Sequence, residues 1–136
     1  MANGAILIFV EIWYISGMVP SSDADVARFA DMLAAMGTEP RLRLVRLLLA
    51  AHPAGMVAGE LGTELDLAPS TLSHHLDRLK REGVVRVRRE GTFLRYTANT
   101  AALEELLRFL YAECCTRNCA CDPAHVLKGD THAESH

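Results

Sequence analysis

Aromatic residues are scarce in this chain of 136 residues, of which Phe, Trp and Tyr make up only 6% while half are apolar. The interior must therefore consist mainly of Leu, Val and Ala, a composition that usually accompanies helices. The length supports one domain with a small core. So large an apolar fraction in so short a chain indicates that a second subunit covers part of the apolar surface.

Cysteine is absent from residues 1–113, and all four cysteines lie within eight residues, at Cys114, Cys115, Cys119 and Cys121. A secreted protein held by disulfides spreads its cysteines along the chain, so this distribution argues against such a framework. Clustered thiols in a chain otherwise free of cysteine are typical of metal ligands in a reducing cytosol. We therefore expect a cytoplasmic protein.

A long apolar run flanked by basic residues is also missing. The most apolar stretch lies within residues 1–20, is interrupted by Glu11 and has no Lys or Arg ahead of it. It is short for a bilayer span and lacks the charged start of a signal peptide. An interface element and a weakly membrane-facing segment remain alternatives, but we favour a non-native extension translated ahead of Met18. We assign it no function and expect no membrane partner.

The segment 67–81 predicts an amphipathic helix. Pro69 suits the first helical position, and Gly83 lies where a left-handed residue ends a helix. Leu72, Leu76 and Leu79 recur with helical spacing and form one apolar seam. The opposite face carries hydroxyl, imidazole and guanidinium groups that suit phosphate oxygens and base edges. These candidate DNA contacts are Ser70, Thr71, Ser73, His74, His75 and Arg78.

A basic hairpin is predicted directly after this helix. Strand-like runs at 84–89 and 92–97 are joined by Glu90-Gly91, which we predict to be a two-residue turn. From Arg78 to Arg95 there are seven Lys or Arg and two acids, in a chain whose net charge is −3. Such a basic island indicates a nucleic-acid contact rather than an ordinary surface helix and hairpin. The candidate contacts in the hairpin are Arg88, Arg89 and Arg95.

Two helices are predicted ahead of this motif. The sequence 22–25 resembles a capping box and predicts a helix through Met36, and Thr38-Glu39-Pro40 predicts the start of a second. The apolar face of the first helix contains Val26, Phe29, Ala30, Leu33 and Met36, and we expect Leu42, Val45, Leu48 and Leu49 to face inward from the second. Arg41, Arg43 and Arg46 are expected on the wet side, either against phosphate or simply solvated.

Two further helices complete the prediction. Residues 57–65 are expected to form the first helix of a helix-turn-helix pair, followed by a turn at 66–69. Asn99-Thr100 is expected to cap a last helix. The apolar stripe of that helix contains Leu103, Leu106, Leu107 and Leu110.

The chain resembles the ArsR/SmtB family of small metal-responsive repressors. The resemblance rests on the run 70–76 (Ser-Thr-Leu-Ser-His-His-Leu), on Leu79, on the run 83–85, and on the hairpin 88–91 with Tyr96. It covers about residues 23 to 112. It implies a mainly helical winged helix-turn-helix fold with a small β-hairpin wing, dimerised through the first and last helices. It also implies a homodimeric repressor bound to operator DNA and not an enzyme.

Members of this family differ in where the ligands for the metal inducer lie. One family site places cysteines in the helix before the recognition helix, but residues 60–67 contain none. A second uses Asp and His of the last helix, and residues 99–111 contain neither. The C-terminal cysteines remain, and their thiolates would select soft, thiophilic ions.

The Cys-Cys-x5-Cys pattern resembles that of an atypical, arsenite-responsive branch of the family. By that resemblance Cys114, Cys115 and Cys121 bind trivalent arsenic, with antimonite as an alternative and Cys119 as a spare or substitute ligand. Four thiols could instead hold zinc, cadmium or lead. A redox switch and a metalloid scavenger also remain open. An enzyme is disfavoured because no Cys-x-x-Cys pair and no base beside a nucleophile is recognisable.

These observations predict four segments. Residues 1–20 form the apolar extension, and residues 21–113 the DNA-binding and dimerisation domain. Residues 114–122 form the cysteine-rich metalloid site, and residues 123–136 a disordered tail. Operator DNA and a second copy of the chain are the expected partners, and no other protein partner is evident.

Overall fold

The computed structural model describes residues 22–112. The predicted apolar extension, cysteine-rich site and tail lie outside the described residues. Of these residues, 22–105 belong to one compact unit and 106–112 to another.

The first helix, α1, spans Asp23–Met36 and begins with the predicted capping box. The Ser22 hydroxyl oxygen accepts a hydrogen bond from the Asp25 backbone N–H (3.2 Å), and the Asp25 carboxylate accepts one from the Ser22 backbone N–H (3.2 Å). Two backbone donors of the first turn are thus satisfied, which fixes the start of the helix. Gly37 follows its last residue, as predicted.

Helix α2 spans Glu39–Ala50, with Pro40 in its first turn. Arg41 departs from the prediction, because it is half-buried and turns back toward α1. Its guanidinium donates hydrogen bonds to the backbone carbonyls of Ala35 and Ala34. The distance from Arg41 Nη2 to the Ala34 carbonyl oxygen is 3.5 Å. Since these carbonyls lie in the last turn of α1, Arg41 acts as a cap for that helix rather than as a solvated side chain.

The predicted helix-turn-helix pair is present. Helix α3 spans Ala58–Leu65, and helix α4 spans Pro69–Arg81. Between them Asp66 adopts the left-handed conformation (φ 51°), which ends α3. Pro69 is the first residue of α4, and Gly83 has a positive φ of 71° just beyond its end, both as predicted.

A three-stranded antiparallel sheet of order β1-β3-β2 completes the wing. Its strands are β1 (Met56–Val57), β2 (Val85–Glu90) and β3 (Phe93–Ala98). Strand β1 was not predicted, because two residues show no periodicity. The turn prediction was wrong by one residue: Glu90 is paired with Phe93, so Gly91 and Thr92 form the turn, and Gly91 supplies the positive φ of 61°.

The last helix, α5, spans Thr100–Tyr111. The Asn99 side chain does not cap it as expected. Its amide nitrogen donates instead to the Gly83 carbonyl (2.7 Å), and its backbone N–H donates to the Val84 carbonyl (2.9 Å). Asn99 therefore ties the start of α5 to the segment that follows α4.

Within residues 22–105, the core contains the leucine seam of α4 and residues from α1, α2 and α3. Its most enclosed side chains are Met32, Leu44, Leu48, Leu61, Leu76, Leu79, Val84 and Val85. The predicted apolar face of the first helix is only partly buried, and the predicted inward face of the second was partly wrong. Phe29, Met32 and Ala35 are buried in α1, while Val26 and Leu33 are exposed. In α2, Leu44 is buried although it was not predicted to be, whereas Leu42 and Leu49 are exposed.

Adjacent leucines of α2 give a direct test of this core. Leu48 is fully buried, whereas Leu49 is 41% exposed. We expect Leu48→Ala to lower the free energy of unfolding by about 2–5 kcal/mol, because it removes apolar contacts and leaves a cavity. Chemical denaturation followed by circular dichroism would measure it. Leu49→Ala is the matched control, with a clearly smaller loss expected; equal losses would contradict the burial pattern.

Candidate DNA-binding surface

Helix α4 presents its polar face to solvent because its apolar seam is buried in the core. Leu72, Leu76 and Leu79 are buried, which leaves the opposite side of the helix outward. Four of the predicted contact residues of the helix are exposed there: Ser70, Thr71, Ser73 and His74. Their hydroxyl and imidazole groups lie in the first half of the helix, where base edges are read in helix-turn-helix proteins.

His75 differs from the other predicted contacts, because its side chain is half-buried and its Nδ1 atom is enclosed without a hydrogen-bond partner among the described residues. Burial lowers the pKa of the imidazole, and the nearby positive charge of Arg41 and His74 lowers it further. A neutral, half-enclosed ring beside Arg41 is better suited to packing between helices than to a base contact. His75 therefore differs in exposure from the four outward residues, and its DNA contact stays a prediction.

The last turn of α4 is basic. Arg78, Lys80 and Arg81 lie there, where cations interact favourably with the helix dipole. Arg78 is half-buried and pairs with Glu82 four residues later (3.4 Å). Lys80 and Arg81 are exposed and have no acidic partner within residues 22–112.

The wing arginines leave the sheet from opposite faces. Arg88 faces Arg95 across the β2–β3 pair, while Arg89 faces Leu94 on the other side. Because side chains alternate along a strand, Arg88, Arg95 and Glu90 share one face, and Arg89 shares the face of buried Tyr96. The prediction had treated Arg88 and Arg89 as one group, and the register separates them.

Glu90 binds two of the wing arginines at once. One carboxylate oxygen accepts from the Arg88 Nη2 (2.5 Å) and the other from the Arg95 Nε (2.9 Å). Hydrogen bonds from Arg95 and Arg88 hold the pKa of the Glu90 carboxyl below its ordinary value. The carboxylate is therefore charged and neutralises much of this face. We call Arg88, Glu90 and Arg95 the wing triad.

Arg95 is the more structural member of the wing triad. Its side chain is only 27% exposed, and its Nη1 also donates to the Gly55 carbonyl (3.3 Å). Arg95 thereby connects the wing to the loop ahead of β1. Arg88, with 74% of its side chain exposed, is the better placed of the two for an external phosphate.

A cleft of about 400 Å³ lies between the helix-turn-helix pair and the wing. Its lining includes Gly59 of α3, Ser73 of α4 and Leu94 of β3. A Cβ atom added at Gly59 would meet no other atom within 4 Å, so the space beside this residue is open. Helix α4 and the wing thus border one concave surface.

Phe93 was missed as a candidate contact. It lies directly after the hairpin turn and is 64% exposed, the highest value among the large exposed apolar side chains of the described residues. Apolar side chains at such positions can contact the minor groove of DNA. The available sequence signal was an aromatic residue two positions after the turn glycine Gly91, but the alternating pattern predicted only an ordinary strand residue.

The predicted inducer site lies outside the part of the chain that the structure describes. Cys114, Cys115, Cys119 and Cys121 lie outside the described residues, so the inducer site stays a prediction. Within residues 22–112, no group of three His, Cys, Asp or Glu side chains could hold a metal ion. No helix in that part of the chain is long and apolar enough to cross a bilayer.

Similarity to known proteins agrees with this geometry. A helix-turn-helix domain family matches residues 36–88. The transcriptional activator HlyU of Vibrio cholerae is 33% identical over 92 residues, which cover 68% of this chain and 82% of HlyU. The chain belongs to the HlyU and ArsR-like family of winged helix-turn-helix regulators. This confirms the predicted fold, DNA-binding class and family, but not the arsenite-responsive branch.

Solved structures of family members share the fold. HlyU of V. cholerae has a TM-score of 0.54 at 36% identity, covering 66% of this chain and 98% of HlyU. An ArsR-like transcriptional regulator from Rhodococcus sp. RHA1 has a TM-score of 0.57 at 29% identity, with 64% and 79% of the two chains covered. The DNA-binding domain of Mb0332 from Mycobacterium bovis, described as homodimeric, has a TM-score of 0.54 at 27% identity, with 71% and 92% covered. The named relatives are transcriptional regulators, in line with the expectation that the chain is not an enzyme.

The lowered pKa of His75 makes a prediction about stability and pH. The unfolded chain binds the His75 proton more readily than the folded chain, so stability should fall as pH decreases below the ordinary histidine pKa of about 6.5. His75→Gln does not titrate and should lose part of this dependence. Urea unfolding at several pH values from about 7.5 to 5 would measure it. Parallel pH dependence in both proteins would contradict a lowered pKa of the His75 imidazole.

Proposed function

We propose that this family member is a homodimeric transcriptional repressor that leaves its operator when arsenite or antimonite binds the thiolates of Cys114, Cys115 and Cys121. The observation that carries the DNA-binding part is the exposed polar face of α4 beside a basic wing. Helix α4 would enter the major groove, with Ser70, Thr71, Ser73 and His74 near base edges. Arg88 and Arg89 would lie against the phosphate backbone.

Dimerisation is supported by apolar side chains that the described structure leaves exposed. In α1, Val26, Ala30 and Leu33 recur with helical spacing on its outer side. In α5, Leu107 and Leu110 are about half exposed. Burying such stripes against a second copy would remove apolar surface from water. A dimer would also place two α4 helices on half-sites about one helical turn apart.

The inducer part rests on the chemistry of the cysteine cluster. Trivalent arsenic is thiophilic and binds three sulfurs in a trigonal pyramid, so it needs no fourth ligand. Two adjacent thiols and a third a few residues later supply such a set within one chain. Cys119 would be a spare or substitute ligand. The relative HlyU is named an activator. Repression by this chain is therefore part of the proposal and is not taken from that relative.

The decisive experiment is fluorescence anisotropy of labelled promoter DNA, titrated with the full chain under reducing conditions. Micromolar arsenite should release the DNA, and Cys114→Ser, Cys115→Ser and Cys121→Ser should each abolish release while leaving DNA binding intact. Cys119→Ser is the matched control and should still respond. Release of the DNA by zinc, cadmium or lead but not by arsenite would indicate that the inducer site is a four-thiolate metal site. Tight arsenite binding without any DNA binding would favour a scavenger.

A second experiment separates base reading from phosphate binding. His74→Ala or Ser73→Ala should weaken binding to operator DNA by roughly 1–3 kcal/mol and weaken binding to random DNA much less, because the side chains are placed near base edges. Arg88→Ala should weaken both and flatten the logarithmic salt dependence by about one unit. If His74→Ala lowers the affinity for operator DNA and random DNA equally, His74 does not contact base edges.

A further inference from the structure

The wing triad places a carboxylate where a DNA phosphate would bind. Glu90 accepts hydrogen bonds from Arg88 and Arg95 through its two separate oxygens. A phosphate bound to the same arginines would use the same donors with the same negative charge. The carboxylate is therefore an internal competitor for the groups that the proposed function assigns to the DNA backbone.

The register shows why an acid is tolerated here. Arg88 and Arg95 are directly opposite in the antiparallel pair, and like charges in that position repel each other. Glu90 lies two residues beyond Arg88 on the same face and relieves the repulsion. Arg95 has a second partner in the Gly55 carbonyl, which keeps it in place when Glu90 changes. Arg88 is held by Glu90 and is otherwise largely exposed.

We infer that Glu90 is an affinity-setting residue, which lowers the affinity of the wing for DNA by holding Arg88 as a phosphate substitute. The inference rests on the proposed DNA-binding function and adds a residue that opposes it. On DNA binding, Arg88 exchanges the Glu90 carboxylate for a phosphate oxygen, and the freed carboxylate remains close to the negatively charged backbone. Both effects make wing binding weaker than the number of arginines would indicate.

Glu90→Gln is the direct test, because the amide keeps an oxygen acceptor for Arg95 and removes the charge. Binding to a random 30-base-pair duplex and to promoter DNA would be measured by anisotropy over a range of salt concentrations. We expect roughly three- to tenfold tighter binding to both DNAs. The logarithmic salt dependence should also steepen, because a carboxylate no longer offsets the charge that Arg88 brings to the phosphate.

Two controls separate this role from a change of net charge. Glu105→Gln removes the same charge from an exposed pair with Arg28 (3.0 Å), and it should leave DNA affinity nearly unchanged. In the double variant Arg88→Ala/Glu90→Gln, most of the gain should vanish, because it acts through Arg88. An equal gain with and without Arg88 would overturn the inference.

A purely structural role for Glu90 predicts the opposite sign. If the carboxylate only held the hairpin together, Glu90→Gln would loosen the wing and weaken DNA binding. Thermal unfolding of each variant would show whether the wing domain remains folded. Weaker or unchanged binding by a folded Glu90→Gln protein overturns the inference and leaves the proposed function standing, provided the unchanged chain binds DNA. Failure of every variant, and of the unchanged chain, to bind any DNA overturns both.

Discussion

Burial of the leucine seam of α4 is the constraint on which the rest of the structure depends. Leu72, Leu76 and Leu79 are at most 3% exposed, and rotating the helix would return this apolar surface to water. The seam therefore fixes the direction of every polar group on the helix. It places Ser73 and His74 outward, and it turns His75 toward Arg41, where its imidazole is partly enclosed. The direction of the candidate DNA-binding face is thus set by hydrophobic packing, which decides which polar side chains of α4 point outward.

Charge on the wing, the second candidate DNA-binding element, is controlled by pairing within the protein. The chain as a whole is slightly acidic, so its attraction to DNA must come from a local basic region. Within that region Glu82 pairs with Arg78, and Glu90 pairs with Arg88 and Arg95. Arg86 and Arg89 have no acidic partner among the described residues. Surface pairs of this kind add little to stability, but they decide how much positive charge is available to phosphate.

The sequence allowed α4 to be predicted nearly in full, because its signals are local: a proline start, a glycine end and one narrow leucine seam. The inward faces of α1 and α2 could not be predicted in the same way. Each helix has two apolar stripes, and only the neighbouring elements decide that Met32 and Leu44 are buried while Leu33 and Leu42 are exposed. The carbonyl contacts of Arg41, the short strand β1 and the sharing of Glu90 by two arginines also depend on residues distant in the chain or in the pairing register. The cysteine cluster remains a prediction from sequence.

Asn99 suggests how a distant ligand could influence the DNA-binding surface within the proposed function. It begins α5, and its side chain and backbone donate to the carbonyls of Gly83 and Val84, directly after α4. Its Oδ1 atom is buried without a partner among the described residues, so the contact is not fully satisfied. Allosteric coupling of about 1–3 kcal/mol suffices for a several-fold to hundredfold change in affinity. One or two hydrogen bonds, each contributing about 0.5–1.5 kcal/mol, are of that size. Within the proposed function, a ligand at Cys114 would change how α4 is held if its binding altered these Asn99 contacts.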